Sequence, residues 1–586
     1  MQGILFFYDI FKKFPFLISI NVIILGIVGT IEATSVLTIV PVIDFFLKTS
    51  DQNYSVLTKK IIEIINFFGI KITLSNLVFI FLGINLLALI FQIYVKYLAQ
   101  YIRYTVLRNI IHSTFCDIFN ANWYFFSSTK QGILLNTFIS EFNNIGGALG
   151  AMANFFAELF LLILYCILPF YLSWKVALIS LFTALILSLP FFLLSRYNYS
   201  LGQLNLSTVN KMTSVIQEGI SMAKIILGFG KEKTITDNFL QSFNNHCSIT
   251  IKFQTILMSI PLMYYYLGLA VIIITLHASQ KLLIPVSITV ALIYSLQKIM
   301  VTVGRLAAYK NSLDNFFPSY EQLLRLSSQA KKLKRFTGIK QFTGIKNEIL
   351  IEKLSFSYPG NKTILSDINI HIPRGKIIAI VGQSGSGKTT LIDIIMGFYE
   401  ATSGEITIDG IPLKDIDINS YRQKIGYVPQ DSVLFNNTIK ANLLWANEKA
   451  TMKEIEEACK QSNAYEFIKE FPSGYDTVVG DRGIRLSGGQ IQRIALARAI
   501  IRKPDILIMD EATSSLDTHS ERLIQEAIEN IAKETTVIAI AHRLSTIINA
   551  DYIYVIINGH IIEEGKYSEL LEKKKEFYRM VNLQKL

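Results

Sequence analysis

The sequence predicts a helical membrane domain of six transmembrane helices with long cytoplasmic extensions, followed by an α/β P-loop domain. The first observation is composition. Of the 586 residues, 51% are apolar and 17% are charged, and the mean hydropathy is +0.40, which is too hydrophobic for a soluble protein of this size. The second is distribution. The apolar excess lies before about Gly304, whereas after Asn347 short Ile/Val-rich stretches alternate with polar helical ones.

These boundaries divide the chain into a membrane domain at residues 1–325, a linker at 326–347 and an α/β domain at 348–586. The linker contains the sequence Phe-Thr-Gly-Ile-Lys twice, at 336–340 and at 342–346. Two copies are too few for a repeat architecture, so we interpret them as part of a connecting segment.

Charge and cysteine content exclude two classes of function. The net charge is +11, but the basic residues cluster beside apolar segments, as at Lys12-Lys13 and at residues 331–335. Retention of positive charge on the cytoplasmic side explains this better than nucleic acid does, so we expect no nucleic-acid partner. The four cysteines form no CxxC or metal-ligand spacing, and we expect reduced thiols: Cys116, Cys166, Cys247 and Cys459.

A helix needs about 20 apolar residues to cross a bilayer. By this criterion six spans are expected, near residues 16–46, 77–97, 152–172, 174–194, 256–276 and 285–303. With Lys12 and Lys13 inside, an even number of crossings returns the chain to the cytoplasm at Arg305 and Lys310. The second domain is therefore expected in the cytoplasm, and the chain is a multi-pass protein.

The connections between spans are uneven. Those at Ser173 and near Ser279 are short, whereas residues 96–152 and 195–254 are long, polar and helical, and are expected to project into the cytoplasm. Each long segment is expected to bend near its middle, at residues 122–126 and 222–229. These bends either act as elbows that rest on the second domain or are ordinary helix-loop packing.

The outside loop at residues 48–76 carries apolar residues at helical spacing, with charged residues on other faces. This pattern is typical of an amphipathic helix. The helix either lies on the outer membrane surface and handles a lipid tail, or covers neighbouring loops. The apolar positions are Leu57, Ile61, Ile64, Ile65 and Phe68.

Ionisable residues at membrane depth are costly and usually face a cavity or a partner. Glu32 and Glu158 are the acidic examples. The basic residues occur in two pairs seven residues apart, so each pair lies on one helix face: Lys96 with Arg103, and Lys298 with Arg305. They either line a basic inner cavity or lie in solvated extensions of the helices.

A glycine-rich motif follows the predicted strand at residues 376–381 and precedes a predicted helix. This strand-loop-helix setting is the one that a P-loop requires, with backbone N–H groups facing phosphates, Lys388 reaching the β- and γ-phosphates and Thr389 ligating Mg²⁺. Alone, it is compatible with many NTPases. The motif consists of Gly382, Gln383, Ser384, Gly385, Ser386, Gly387, Lys388, Thr389 and Thr390.

The apolar strand at residues 506–509 ends in Asp510-Glu511. Asp510 is expected to hold Mg²⁺ or its water, and Glu511 to polarise the water that attacks the γ-phosphate. The other interpretation, an acidic pair that caps a buried strand, is weaker because a P-loop already requires such an aspartate.

At this point the sequence closely resembles the ABC transporter ATPase family, because residues 486–490 read Leu-Ser-Gly-Gly-Gln, the signature of that family. The resemblance implies that Tyr358 stacks on adenine, that Gln430 is the Q-loop glutamine, and that residues 477–483 form the exporter-type coupling loop. It further implies catalytic roles for Glu511, His542 and Gln430, and Mg²⁺ ligands at Thr389, Gln430 and Asp510. ATP would contact Tyr358, the P-loop, Ser487, Gly488, Gly489, Gln490, Asp510 and the D-loop residue Asp517.

In the fold of this family the signature completes the ATP site of a second subunit. The resemblance therefore implies a dimer, most simply a homodimer with two similar sites, although a heterodimer stays open. Because every motif is intact, both sites of a homodimer are expected to hydrolyse ATP. Membrane and ATPase domains in one chain resemble an ABC exporter of the half-transporter type, which couples ATP hydrolysis to alternating access.

The cargo is less defined. The first helix, with Glu32 followed by Pro41, resembles bacterial exporters that flip lipid-linked oligosaccharides, as does the segment at 261–264. This resemblance implies an amphipathic or lipid-linked substrate and a bacterial inner membrane. The alternative is export of drugs, peptides or other amphiphiles. The membrane spans exclude a soluble DNA-repair ATPase with a similar signature, and a regulatory channel is expected to show a lost catalytic group or an added segment.

Overall fold

The computed structural model describes residues 15–47, 54–69, 71–139, 141–192, 195–360, 362–510, 518–541 and 547–585. The chain divides into two compact units. The first contains residues 1–121 and 125–332, and the second contains residues 122–124 and 333–586. Each unit is described separately below.

The described part of the first unit is helical throughout. Its elements are α1 (Pro15–Phe46), α2 (Val56–Phe67), α3 (Leu74–Phe119), α4 (Trp123–Ser128), α5 (Gln131–Ile139), α6 (Glu141–Phe192), α7 (Ser195–Ser221), α8 (Ala223–Gly228), α9 (Glu232–Lys281) and α10 (Val286–Lys332). The first two residues of α4 belong to the second unit.

Among the described residues, five helices are long and apolar enough to cross a membrane: α1, α3, α6, α9 and α10. The sequence predicts six crossings, so the number differs by one. The difference lies in α6, which contains the span predicted at 152–172 and, beyond Ser173, all of the span predicted at 174–194 that the structure describes. Its backbone leaves helical geometry at Ser173, with φ −162° and ψ 98°. At a rise of about 1.5 Å per residue, its 52 residues would extend about 78 Å, far beyond the thickness of a bilayer, if the helix were straight.

The long helices extend beyond the membrane. The 46 residues of α3 span about 69 Å, whereas the hydrocarbon core of a bilayer is about 30 Å thick. Small and polar residues bring the helices together. The hydroxyls of Ser180 and Thr275 lie 2.9 Å apart, and Gly202 packs directly on the backbone of Asn315. Such contacts are typical of packing between membrane helices.

The expected amphipathic helix of the outside loop is present as α2, although residues 48–53 lie outside the described residues. Ser55 caps its N-terminus by accepting a hydrogen bond from the backbone N–H of Thr58. The buried Asp44 carboxylate at the end of α1 accepts hydrogen bonds from the hydroxyl of Thr58, at 2.5 Å, and from the backbone N–H of Ser55, at 3.2 Å. Asp44 therefore attaches the start of α2 to the end of α1.

The described strands of the second unit form two sheets. A four-stranded antiparallel sheet has the order β2-β1-β4-β5, and a six-stranded sheet, parallel except at the β10 edge, has the order β10-β9-β3-β8-β7-β6. The strands are β1 (Glu348–Ser357), β2 (Thr363–Pro373), β3 (Ile377–Gly382), β4 (Ser403–Ile408), β5 (Ile411–Pro412), β6 (Ile425–Val428), β7 (Ile506–Asp510), β8 (Thr536–Ile540), β9 (Tyr552–Ile557) and β10 (His560–Gly565).

Helices cover the six-stranded sheet and form a separate helical subdomain around Leu443, Ile455 and Ile468. The described helices are α11 (Lys388–Ile395), α12 (Ile418–Gln423), α13 (Ile439–Leu444), α14 (Met452–Gln461), α15 (Tyr465–Glu470), α16 (Gly488–Ile500), α17 (Thr518–Ile531), α18 (Tyr567–Glu572) and α19 (Glu576–Lys585). Strands β3, β7 and β8 are apolar and buried along nearly their whole length, as central parallel strands require.

The two copies of the repeated linker sequence are ordered and have different environments. In the first copy the backbone N–H groups of Gly338 and Lys340 donate to the carbonyls of Ile416 and Asp415. In the second copy Ile345 is 3% exposed and belongs to the core, whereas Ile339, the equivalent residue of the first copy, is 94% exposed. The repeat in sequence is therefore not a repeat in structure.

The two expected elbows also differ. Residues Asn122–Tyr124 belong to the second unit, where the Trp123 ring lies 6.1 Å from the Phe398 ring and the Asn122 N–H donates to the carbonyl of Leu333 at 2.7 Å. The second elbow is α8 in the first unit, which has no buried residue and exposes Ile225 and Leu227.

Candidate functional site in the ATPase domain

The sheet order brings together most of the residues predicted for ATP binding. β3 and β7 each lie beside β8, and β6 lies beside β7, all parallel. Because carboxyl ends of parallel strands lie at the same edge, the P-loop after β3, Asp510 at the end of β7 and Gln430 after β6 lie along one edge. Glu511, Asp517 and His542 lie outside the residues that the structure describes.

The P-loop runs from Gly382 to the start of α11 and depends on glycine at specific positions. Gly387 precedes α11 with φ +102°, and a Cβ atom there would lie 2.7 Å from Cδ2 of Leu365. A Cβ at Gly382 would collide with the carbonyl oxygen of Ile556 on β9. The P-loop backbone can adopt this conformation only if Gly382 and Gly387 carry no side chain. Its N–H groups can then face phosphate oxygens.

Lys388 begins α11 and is 5% exposed. Its Nζ donates to the carbonyls of Gly382, at 2.9 Å, and Gln383, at 3.0 Å, so the ammonium group lies inside the loop. The hydroxyl of Ser386 is buried without a hydrogen-bond partner among the described residues. A buried cation, a helix N-terminus and a buried hydroxyl in one concave loop fit the triphosphate of ATP.

Asp510 is 3% exposed, and it ends a strand in which every residue is buried. Thr389 follows Lys388 in the first turn of α11, and Gln430 is an exposed residue two positions beyond the end of β6. These three residues offer the oxygen atoms that Mg²⁺ prefers: the Asp510 carboxylate, the Thr389 hydroxyl and the Gln430 amide oxygen. They could bind the ion directly or through its water molecules.

A further acid, Asp393 on α11, was missed by sequence reasoning. Burial and then the charge of Asp510 raise the pKa of its carboxyl to about 7. Burial, Asp510 and Asp393 also raise the pKa of Tyr427 on β6. In the sequence, Asp393 can be noticed only as a single acidic residue within the apolar segment at residues 391–396. Its position beside Asp510 depends on how α11 packs on the sheet, which the local sequence does not predict.

Tyr358, at the end of β1, lies beside the P-loop helix. Its hydroxyl is 3.4 Å from the hydroxyl of Thr390, and its ring packs edge-on against Phe356 and Tyr399, with centroids 5.0 and 5.3 Å away. The ring is only partly buried. This arrangement holds an aromatic surface next to the P-loop, as an adenine-stacking residue requires.

The signature sequence forms the N-terminus of α16. Ser487 caps the helix by accepting from the N–H of Gln490 at 3.3 Å, and the Gln490 side chain accepts from the N–H of Ser487 at 2.9 Å. Ser487 and Gly488 are exposed, and no atom lies near the position that a Cβ of Gly488 would take. The helix N-terminus is thus open to an anionic ligand.

Each of the two units matches a known family. The model of the ABC transporter transmembrane region matches residues 18–305, and the ABC transporter model matches residues 365–514. A 35% identical protein, the heterocyst differentiation ATP-binding protein HepA of Nostoc, is aligned over 78% of this chain and 76% of its own length. The chain belongs to the ABC transporter family, in its exporter branch.

Other exporters are similarly related. An ATP-dependent lipid A-core flippase of Syntrophus aciditrophicus is 34% identical over 78% of this chain and 77% of its own length. A putative multidrug export ATP-binding/permease protein of Staphylococcus aureus is 32% identical over 84% of this chain and 86% of its own length. The structure of a bacterial Atm1-family ABC exporter with ATP bound superposes with a TM-score of 0.81 over 98% of both chains, at 21% identity. The exporter is therefore an ATP-driven membrane transporter with ATPase activity.

Two ion pairs in the described part of the membrane domain involve the acidic residues that the sequence places at membrane depth. Lys298 Nζ lies 2.8 Å from Glu32 Oε2, and Arg305 Nη1 lies 2.8 Å from Glu158 Oε1. Gln92 and Tyr165 also donate to the Glu32 carboxylate. Two of the four basic residues singled out from the sequence, Lys298 and Arg305, are thus paired with acids.

Arg103 has a different environment on α3. Its side chain lies against Gly146 and Gly150 of α6 and over the Tyr104 ring, 5.2 Å from the ring centroid. Its Nη1 donates to the side-chain oxygen of Gln100 at 3.3 Å. Small residues on α6 therefore make room for this guanidinium group.

Proposed function

We propose that this exporter uses ATP hydrolysis to move a lipid or lipid-linked saccharide across the bacterial inner membrane, as a homodimer with its ATPase domains in the cytoplasm. Two of the similar proteins bear the name ATP-dependent lipid A-core flippase, each 34% identical to this chain, which supports a lipid cargo.

The observation that carries the choice of a lipid cargo is α2. This short helix exposes the apolar side chains Val56, Ile64 and Phe67, at 74%, 60% and 86%, while Lys59 and Lys60 are also exposed. Exposed apolar residues beside lysines suit the interface between acyl chains and anionic headgroups. A helix of this kind, attached to α1 by Asp44, places a lipid-binding surface next to the outer end of the first membrane helix.

In the proposed ATPase reaction, Tyr358 stacks on adenine and the P-loop backbone with Lys388 binds the β- and γ-phosphates. Glu511 polarises the attacking water, and His542 and Gln430 contact the γ-phosphate and sense its release. Thr389 and Asp510, with Gln430, would hold Mg²⁺. Bound there, the ion would neutralise charge on the phosphate oxygens.

The dimer follows from the signature helix. In this proposal the signature sequence at the N-terminus of α16, of which Ser487 and Gly488 are exposed, completes the ATP site of a second copy. Gly489, Gln490 and Asp517 are assigned to the same interface. The exposed apolar residues of α8 also require a covering surface. A heterodimer with a related chain is the alternative.

In the proposed cycle, ATP closes two ATPase domains, the cytoplasmic elbows carry this movement to six membrane crossings, and the cavity opens outward. Six crossings require that the chain turns at Ser173, between two spans of α6. The proposed domain boundaries remain 1–325, 326–347 and 348–586.

The test is ATPase activity of the purified protein in lipid nanodiscs, with Glu511→Gln as the matched inactive control. Lipid-linked saccharides, lipopolysaccharide precursors, drugs and peptides are added separately. Stimulation by the lipid-linked compounds, followed by their ATP-dependent flipping in vesicles, is the expected result. Stimulation by drugs or peptides alone would contradict the lipid proposal.

Export of drugs or other amphiphiles is the second candidate, and the relative from Staphylococcus aureus favours it. The two candidates differ in what they predict for α2. Replacement of Phe67 and Phe68 by Ser is expected to reduce lipid stimulation, whereas a drug that enters from the inner leaflet is expected to stimulate the variant as it does the wild type.

A further inference from the structure

Tyr399 is a buried aromatic residue of the ATPase domain that the proposed ATPase reaction does not use. It follows α11 and precedes β4, and its exposed fraction is 6%. Its ring meets the Tyr358 ring at an interplanar angle of 82°, with centroids 5.3 Å apart. Its centroid also lies 5.4 Å from that of Phe356, a residue that is 5% exposed. Tyr399 therefore contacts, from the interior of the domain, the residue proposed to stack on adenine.

The rings of Phe356, Tyr358 and Tyr399 contact one another pairwise, and we call them the aromatic triangle. The Phe356 and Tyr358 rings complete it, with centroids 5.0 Å apart at an interplanar angle of 83°. Nearly perpendicular rings at this distance are an arrangement that aromatic pairs favour. Two members of the triangle are buried and Tyr358 is partly exposed. The two buried rings thus restrict the orientation of the one ring that reaches the surface.

Tyr358 contacts the chain near both ends of α11, the helix that begins at the P-loop. Its hydroxyl lies 3.4 Å from the hydroxyl of Thr390, in the first turn with Lys388. Its ring contacts Tyr399, which comes four residues after Ile395, the last residue of the helix. The helix has eight residues and is about 12 Å long. The ring proposed for adenine and the loop proposed for the phosphates are therefore both attached to one short helix.

The end of α11 that carries Tyr399 is closed by a specific helix cap. The Gly397 N–H donates to the carbonyl of Ile394 at 2.9 Å, and the Phe398 N–H donates to that of Asp393 at 2.8 Å. Gly397 has φ +71°, as this type of cap requires. The cap fixes the direction in which the chain leaves the helix, and with it the backbone position of Tyr399.

We propose that Tyr399 is a positioning residue for the nucleotide, because it holds the Tyr358 ring where adenine can stack while the P-loop binds the phosphates of the same ATP. This inference rests on the proposed role of Tyr358. A ring that is free to change rotamer must be ordered when the base binds, and the lost side-chain entropy weakens binding. The contact with Tyr399 orders the ring before ATP arrives.

This role predicts an effect on nucleotide binding and not on the chemical step. Stacking on the base is the same in the ground state and the transition state, so its loss raises KM and leaves kcat nearly unchanged. A substitution that distorted α11 would also displace Lys388 and lower kcat. The two kinetic constants therefore separate a role through Tyr358 from a general role in the helix.

The experiment measures KM and kcat for ATP in nanodiscs, together with inhibition by ribose 5′-triphosphate, which has the phosphates of ATP and no base. Tyr399→Leu is expected to raise KM for ATP about two- to tenfold, as loss of one aromatic pair implies, with kcat within about twofold of the wild type. The inhibition constant of ribose 5′-triphosphate is expected to stay unchanged. Tyr399→Phe keeps the ring and is expected to restore KM.

A double-mutant cycle tests whether the effect passes through Tyr358. Tyr358→Leu is expected to raise KM for ATP at least as much as Tyr399→Leu does. The double variant is expected to equal Tyr358→Leu alone, because Tyr399 then has no ring to position. Tyr567→Leu is the matched control, since Tyr567 forms a similar perpendicular pair with Phe577, at 5.8 Å, in the C-terminal helices. Its kinetic constants should equal those of the wild type.

Thermal unfolding of each variant identifies a folding defect. If Tyr399→Leu is unfolded, Tyr399→Met, which fills the site with a flexible side chain, replaces it in every measurement.

Four results would overturn the inference. Equal losses of affinity for ATP and ribose 5′-triphosphate would show that Tyr399 supports the P-loop and not the base. Additive effects in the double variant would show that it acts without Tyr358. An unchanged KM in Tyr399→Leu, beside a raised KM in Tyr358→Leu, would leave adenine stacking in place and remove the positioning role. If neither variant changes KM, the proposed role of Tyr358 fails, and this inference fails with it.

Discussion

The Lys298 ammonium group lies 2.8 Å from the Glu32 carboxylate, although the two residues are 266 positions apart in the chain. The pair joins the first and last membrane helices at a point where Gln92 and Tyr165, from two further helices, also donate to the same carboxylate. The Glu32 side chain is 5% exposed and that of Lys298 is 21% exposed. One carboxylate therefore connects four helices.

Glu32→Gln is expected to destabilise the membrane domain by up to about 3–5 kcal/mol, because Lys298 would remain without its counter-charge. Glu32→Gln combined with Lys298→Met is expected to recover most of this loss. The measurement is the thermal unfolding midpoint in nanodiscs. Arg522→Ala, which removes an exposed ion pair with Glu526, is the control and should leave the midpoint unchanged. A double variant as unstable as the single one would contradict the assigned pairing.

Glu511→Gln is expected to keep ATP binding and to lower hydrolysis by roughly 10²–10⁴-fold, because an amide cannot polarise water as a carboxylate does. The variant is also expected to accumulate as an ATP-bound closed dimer. Nucleotide binding and phosphate release are measured on the same preparation. Lys388→Ala serves as the comparison, since it should weaken nucleotide binding itself. Wild-type turnover by the Gln variant would remove Glu511 from its assigned role.

Asp393 predicts a pH effect on the nucleotide-free protein. Burial and the charge of Asp510 raise the pKa of Asp393 to about 7 in the folded state, from about 4 in an unfolded chain. The folded state then holds a proton that the unfolded state lacks, so this group lowers stability as pH rises from about 4 to 7. Asp393→Asn should remove the effect. Its advantage in melting temperature over the wild type is expected to grow between pH 5 and 7 and to level off above pH 7. A constant difference across this range would argue against the shift.

Asp409 predicts the opposite pH dependence. Its carboxylate accepts three backbone hydrogen bonds, from Lys346 at 2.8 Å, Asn347 at 2.7 Å and Glu348 at 3.0 Å. Despite some desolvation, these donors lower the pKa of Asp409 below its ordinary value. The stabilisation is therefore complete above about pH 4, where an unfolded aspartate is ionised, and is lost as pH falls through the lower folded value.

Asp409→Ala is expected to cost about 1 kcal/mol at pH 7, a modest value because solvent screens this largely exposed carboxylate. The difference from the wild type should shrink below about pH 4. Urea unfolding of the protein at several pH values measures it, with Asp367→Ala as a control at another aspartate of positive φ, 50° in both cases. A difference that persists at low pH would mean that the loss does not come from the charge.

The ATPase half was predictable from sequence because its signals are local. The apolar strand before Gly382 and the helix after Gly387 appear where expected, and Asp510 ends a buried strand. The helix cap formed by Ser487 and Gln490 was also predictable, because both residues lie within four consecutive positions of the chain. Each of these features depends on neighbours in the chain.

Other features depend on three-dimensional packing that local patterns do not contain. Glu32 and Lys298 were recognised separately as membrane charges, but nothing in their spacing predicts that they meet. Asp393 resembles an ordinary polar position of a helix until α11 is placed beside β7. The number of crossings stays a prediction, because α6 is one long helix that leaves helical geometry only at Ser173, a residue without a strong turn signal.

The linker is ordered, so the ATPase domain as a folded unit begins before its first strand. Gly338 and Lys340 are hydrogen-bonded to the segment at residues 415–417, and the Phe342 ring packs against Tyr421 with centroids 5.2 Å apart. A fragment of the ATPase domain that starts at the first strand would lack Ile345 and expose the apolar surface that this residue covers. A fragment that starts at residue 333 keeps these contacts, and a protease is expected to find no easy cleavage point between Phe342 and β1.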